Sequence, residues 1–343
     1  MVLTREPGDL PVAVVLRAAG VRRTNGMFFP AQRRSSGGRA WRGRLSSGAD
    51  EAMASRISSR QWTLTRRAAL LTAAAGAAAP AWPATRPRRV VSINACLDVQ
   101  LLDLADRDQV AALSHYCREA DRSTLVVRAR DLPITHGSAE EVLVLRPDLV
   151  LASRHNALAT REALKRLGVQ VEVFATPETV AESLEQVRRV AGLLGHPARG
   201  AALVGRIEAA FAAAAPPPRA RPIPTLVFQA NGFTAGTDTL VSELMRRAGL
   251  ANAAGRYGLK RWGNLRLEQL IADPPELLLG GQVTAGAPTW ADRVGRHPAL
   301  AAVSGRMARD VVPESLLLCG GSVFIQAMQR FAAARDRHLA RRA

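Results

Sequence analysis

Three cysteines, a set of histidines and a few loop aromatics are the reactive and ligand-facing candidates of this chain. Cys96, Cys117 and Cys319 form no Cys-x-x-Cys pair and no small-domain disulfide framework; one disulfide is available, with one thiol left over. His115, His136 and His155 show no metal-ligand spacing, so no resident metal is expected. Asp98, near Cys96 and His115, can be assembled with them into a nucleophile–base set on paper. Gly-x-Ser-x-Gly and His-Glu-x-x-His are absent, and no glycine-rich phosphate loop follows a strand at the right spacing. A binding protein without catalytic residues is the expectation. Aromatic residues make up only 4% of the chain, so the position of each is informative. Tyr116 (in Ser114-His115-Tyr116), Phe233 (in Asn231-Gly232-Phe233-Thr234-Ala235-Gly236) and Trp262 all fall in predicted loops outside the apolar runs. That placement favours exposure over core packing.

The formal net charge of +18 raises the question of nucleic acid, and its distribution answers it. Residues 1–84 hold 13 Arg against 4 acids, whereas residues 85–343 hold 34 bases and 25 acids over three times the length. No later segment interleaves Lys or Arg with aromatics as a nucleic-acid groove does, so no nucleic-acid partner is expected.

Residues 1–52, rich in Gly, Ser and Arg with no apolar period, read as disordered or as sequence upstream of the true start, Met53. A complete export signal follows over residues 53–84. Arg56, Arg60 and Arg66–Arg67 make a basic region, Ala68 to Ala81 an uncharged run, and Ala79-Pro80-Ala81 a small-residue cleavage site. Thr65-Arg66-Arg67-Ala68-Ala69-Leu70-Leu71 resembles a twin-arginine signal. The uncharged run is too short for a comfortable membrane span, so the expected destination is a Gram-negative periplasm.

The elements that must position these residues begin at Arg88, where short β-rich runs alternate with amphipathic stretches, the pattern of an α/β fold. Expected strands are Arg89–Ile93, Val110–Ser114, Asp148–Ala152 and Val169–Phe174, with helices near Leu97–Ala105, Ala139–Leu145 and Thr160–Leu167. Two longer helical stretches, Pro177–Leu194 and Pro197–Ala215, are punctuated by Gly195-His196-Pro197. The second would span about 27 Å and ends at Pro216-Pro217-Pro218, before a new strand at Pro224–Phe228. The expected organisation is an N-terminal α/β lobe (85–176), a helical linker (177–218) and a C-terminal α/β lobe (219–343). The second lobe repeats part of the first: residues 139–151 align with 267–279. In each copy a Glu (Glu140, Glu268) opens a two-turn helix, a Pro seven residues later stops it, and an acid begins a buried strand.

From about Arg88 onward the chain resembles the iron-complex and vitamin B12 periplasmic binding proteins of ABC importers. Glu-Glu-Val-Leu-Val-Leu-Arg-Pro-Asp-Leu-Val-Leu-Ala (140–152) is close to that family's most recognisable segment. The resemblance implies two Rossmann-like lobes joined by a single long rigid helix, and a monomer that delivers a small-molecule ligand to an inner-membrane permease. Glu140 and Glu268 match the family's acids that dock onto permease arginines; acids at a first helical turn also simply complement the helix dipole. Tyr116, Phe233 and Trp262 match cleft positions where flat rings suit a large planar or macrocyclic ligand, a corrinoid or an iron chelate. Where the vitamin B12 binders carry further first-lobe tryptophans, this chain has Ile134 and Ser153. Arg154 would add a cation for carboxylates of an iron chelate or a haem propionate, and one of His115, His136 and His155 could supply an axial imidazole. In this architecture Cys96 and Cys319 border the cleft, as ligand contacts, a cross-lobe disulfide or small loop hydrophobes. A haem or siderophore scavenger without transporter docking, or a small-molecule enzyme on the same fold, would be the alternatives.

Overall fold

The computed structural model describes residues 86–280 and 297–342; the expected export signal and the segment before it lie outside the described residues. In the first lobe, five strands make one parallel sheet: β1 (Val90–Ser92), β2 (Val110–Ser114), β3 (Ile134–Thr135), β4 (Leu149–Ser153) and β5 (Gln170–Phe174). Their order is β3-β2-β1-β4-β5. The strands are near-continuous apolar runs because both faces of a parallel sheet are covered by helices. Val90, Val91, Leu113, Val150 and Leu151 are fully buried accordingly. Around them lie α1 (Ala95–Leu104), α2 (Ala139–Val144) and α3 (Leu158–Arg166). Asn94 starts α1 by accepting the backbone N–H groups of Cys96 and Leu97, and Ser138 starts α2 by accepting that of Glu141.

Two antiparallel helices follow, α4 (Val180–Leu193) and α5 (Pro197–Ala214). Gly195, at φ +78°, supplies the left-handed turn between them. Gly200 lets them pack closely, since a Cβ there would stand 2.5 Å from the Cβ of Ala191. The α4 start falls at Val180 rather than Pro177, because Thr179 caps the helix by accepting the Glu182 N–H.

The second lobe holds β6 (Ile223–Phe228), β8 (Leu250–Asn252), β10 (Leu277–Gly280) and β11 (Ala308–Val311) in a parallel sheet of order β11-β10-β6-β8. A two-stranded antiparallel ribbon, β7 (Phe233–Thr234) with β9 (Gly263–Asn264), stands apart from it. The helices are α6 (Leu240–Arg247), α7 (Leu267–Ala272), α8 (Ala299–Ala302) and α9 (Val323–Ala340). The internal repeat is real in three dimensions. Helices α2 and α7 are both six residues long, bury Val142 and Leu270 at the same position, and lead into β4 and β10. Strand order β2-β1-β4-β5 in one lobe matches β8-β6-β10-β11 in the other.

α5 joins the lobes. At its start, His196 lies 2.8 Å from Gln109 and Arg199 reaches Asp106 at 2.5 Å, both partners in the first lobe. At its end, Arg335 of α9 donates to the carbonyls of Ala214 and Ala248, at 2.7 and 2.9 Å, satisfying the last turns of α5 and α6 together. The antiparallel α4 also ties both lobes: its first N–H, on Val180, donates to Glu243 of α6 at 2.8 Å. One hydrophobic cluster runs unbroken from Val90 and Leu113 through Val187, Ile207 and Phe211 to Leu279 and Phe324. A shared core of this kind resists relative rotation of the lobes.

Candidate binding cleft

In parallel α/β sheets the loops at the carboxyl ends of the strands form the ligand crevice. Several of the residues singled out in the sequence sit at those ends. Ser114 closes β2, and the next residues, His115 and Tyr116, lie in a short 3-10 turn. Thr135 closes β3 and leads into His136; Ser153 closes β4 and leads into Arg154 and His155. In the second lobe Phe228 closes β6, Gln229 follows it, and Phe233 opens the ribbon.

The first-lobe group is a ring stack. His115 and His136 lie 4.8 Å apart between centroids at 21°, and Tyr116 is 4.0 Å from His115. Thr135 Oγ1 and the His136 N–H both donate to the Glu141 carboxylate at 2.7 Å. The bond from Thr135 first, then that from the His136 backbone, hold this carboxyl below its usual range. Nδ1 of His115 is buried without a partner among the described residues.

In the second lobe Phe233 and Trp262 stack, with centroids 4.9 Å apart and planes 15° from parallel. Pairing of Phe233 with Asn264 in the ribbon brings them together. Tyr116, Phe233 and Trp262 are 36%, 39% and 37% exposed, well outside the core. Phe233 and Trp262 wall a cavity of about 300 Å³ completed by Gln229, Glu314, Leu317 and Leu318. Gln229 is only 4% exposed, yet neither its Nε2 nor its Oε1 has a partner among the described residues. An orphaned buried polar atom costs about 1–3 kcal/mol. Sequence reasoning missed Gln229; the available signal was a lone amide ending the apolar run Thr225–Phe228.

A narrower crevice between the lobes is lined by Asn94, Cys96, Ser153 and Phe174 from one side and by Leu240, Leu318 and Gly320 from the other. Arg154 lies in an adjoining groove of about 550 Å³ that shares Phe174 to Pro177 and Gln186 with the crevice. Cys96 and Cys319 are bonded to each other, so neither offers a free thiol to a ligand. Cys117 is the remaining thiol; burial pushes it up to about 11.

In the nucleophile–base set conceivable from sequence, the cysteine is not free. Cys96 Sγ is in the disulfide, and Asp98 is fully buried, accepting from Ser114 Oγ at 2.5 Å and Ser114 N–H at 3.1 Å. Burial pushes the Asp98 carboxyl up to about 7 against the opposing pull of those bonds. Its geometry is that of a strut fixing the end of β2 beneath His115 and Tyr116.

Glu140 and Glu268 are exposed at the first turns of α2 and α7, and neither makes a hydrogen bond or ion pair among the described residues.

A profile of the periplasmic binding protein family matches residues 90–309. The chain belongs to that family. The membership implies an extracytoplasmic location. This binding protein is 26% identical over 204 residues to the cobalamin-binding protein of Halobacterium salinarum, an alignment covering 57% of this chain. It covers 54% of that protein, so the chain spans about half the length of the curated relative. Among solved structures it is similar to the apo form of the periplasmic heme-binding protein RhuT from Roseiflexus sp. RS-1. That similarity has 25% identity and a TM-score of 0.57, covering 73% of this chain and 98% of the other. It also shares the fold of the periplasmic vitamin B12-binding protein BtuF of Vibrio cholerae, with 14% identity, a TM-score of 0.55 and coverage of 74% and 98%. The architecture is the two-lobed, helix-joined fold of these periplasmic binding proteins.

Proposed function

We propose that this chain is the solute-binding component of an ABC importer, carrying a corrinoid in the cleft between its lobes and releasing it to a permease. The observation that carries this reading is the stacked, half-exposed Phe233–Trp262 pair walling a cavity that, among the described residues, is completed by Gln229, Glu314, Leu317 and Leu318. Flat rings that are kept out of the core can cover the face or edge of a large macrocycle. The resemblance to a cobalamin-binding protein points the same way. Binding without turnover is the reading for the site, and the disulfide that occupies Cys96 Sγ supports it. Export to the periplasm would use the twin-arginine-like signal of residues 53–84. Glu140 and Glu268, exposed and related by the internal repeat, would dock onto the permease.

An iron chelate is the second reading, favoured by the His115–Tyr116–His136 stack and by Arg154. Imidazole and phenol groups suit an iron centre, and a guanidinium suits a propionate.

Tryptophan fluorescence tests the assignment. Cyanocobalamin should quench the emission of Trp262, and the quenching should shrink in Trp262→Leu. Quenching by haem alone would favour the second reading, and no change with either chromophore would contradict both.

A further inference from the structure

We propose that Gln229 reads a primary amide on the rim of the bound ligand, so that the second-lobe cavity selects an amide-bearing macrocycle over a carboxylate-bearing one. This rests on the reading of the cleft as a macrocycle site and names the chemical class it takes.

The main chain at Gln229 is fixed. Its N–H donates to the Phe233 carbonyl at 2.8 Å, and its own carbonyl accepts from Gly232 at 3.1 Å. The side chain therefore starts from a rigid point at the carboxyl end of β6 and lines the aromatic cavity. It is 4% exposed, and both its donor and its acceptor lack partners among the described residues. A buried amide left without partners is costly, and a ligand that satisfies it recovers that cost. In the wall of Phe233, Trp262, Leu317 and Leu318 the Trp262 indole N–H is the one side-chain donor, and it makes no hydrogen bond to Gln229.

The ligand group that satisfies both atoms is one with a donor and an acceptor side by side. A primary amide does this in a reciprocal two-bond pair: its carbonyl accepts from Nε2 and its N–H donates to Oε1. A carboxylate only accepts. It would leave Oε1 without a partner from the ligand and bring a negative charge toward Glu314, the acidic side chain among the described residues lining the cavity. Glu314, itself an acceptor, would instead receive a second amide N–H. Both groups thus discriminate in one direction, toward a corrinoid fringed with amides and away from a porphyrin fringed with carboxylates.

The test is calorimetric titration of the full chain and of Gln229→Leu with cyanocobalamin and with a corrinoid whose peripheral amides are replaced by methyl esters. The wild-type chain should prefer the amide form by roughly ten- to a hundredfold. Gln229→Leu should bring that ratio close to one, chiefly by weakening cyanocobalamin. A wild-type chain that binds both corrinoids equally would overturn the inference even if the variant failed to fold. So would an unchanged ratio in a folded variant; either result leaves the macrocycle-site reading standing. Failure of the wild-type chain to bind any corrinoid would remove the corrinoid assignment and the role of Gln229 with it.

Discussion

Cys96, in the first lobe, and Cys319, in the second, are joined by a disulfide with their Cα atoms 5.1 Å apart. Beside it the Ser322 hydroxyl donates to Asp103, and the Gly321 N–H donates to Ser183 at 3.0 Å. The lobes are therefore stitched at the floor of the cleft as well as along α5.

The bond spans a sequence separation of 223 residues. Replacing both cysteines by serine should lower unfolding stability by about 2–4 kcal/mol, with a ceiling near 5 from chain entropy. Urea denaturation of the variant against the oxidised chain measures this. Equal midpoints would show that the bond does not restrain the unfolded chain. With the stitch and the shared core in place, crystals grown with and without ligand should show only small lobe movement. A wide hinge rotation would contradict the rigid account.

Asp98 makes stability depend on pH in an unusual direction. Burial pushes its carboxyl up to about 7, against an ordinary value of 3.8. The folded state keeps the proton that the unfolded chain releases near pH 4, so this group's contribution is full below that pH and declines toward pH 7. Asp98→Asn, which keeps an acceptor for Ser114, should remove a decline of roughly 4 kcal/mol across that window. Melting curves of the two proteins at several pH values give the difference directly. Parallel pH profiles would mean that Asp98 is ionised when folded.

Arg335 joins the ends of α5 and α6 through two carbonyl contacts in a buried setting. Arg335→Met should cost about 2–4 kcal/mol, because the carbonyls of Ala214 and Ala248 lose their donor. Hydrogen exchange should rise in the last turn of α5. Protection unchanged there would show that other groups hold the helix end.

Much of this was legible beforehand, and the limits have physical causes. The 128-residue repeat foretold the matching α2–β4 and α7–β10 units, because helix, Pro stop and buried strand are all locally encoded. Pro197 and Pro216 bracketed α5 for the same reason. The pairing of Cys96 with Cys319 was one of several open options, since a contact across 223 residues leaves no local trace. The two-residue strands β7 and β9 are too short for any periodicity, so the stacking of Phe233 on Trp262 was invisible. The unsatisfied state of Gln229 exists only once the neighbouring loops are in place.

The proposed docking onto a permease rests on two exposed carboxylates, Glu140 and Glu268, that lack partners among the described residues. Reversing both, Glu140→Arg with Glu268→Arg, should abolish uptake of the ligand by cells while leaving its affinity for the purified protein within about twofold. Undiminished uptake would show that the permease recognises another surface.

We propose above that the cleft holds a corrinoid. Calorimetry and visible absorption of the purified chain titrated with cyanocobalamin, haem and ferric siderophores test it most directly. Tight one-to-one binding of cyanocobalamin, with haem and siderophores weaker, is the predicted result. A folded protein that binds haem or a siderophore tightly and cyanocobalamin not at all would contradict it.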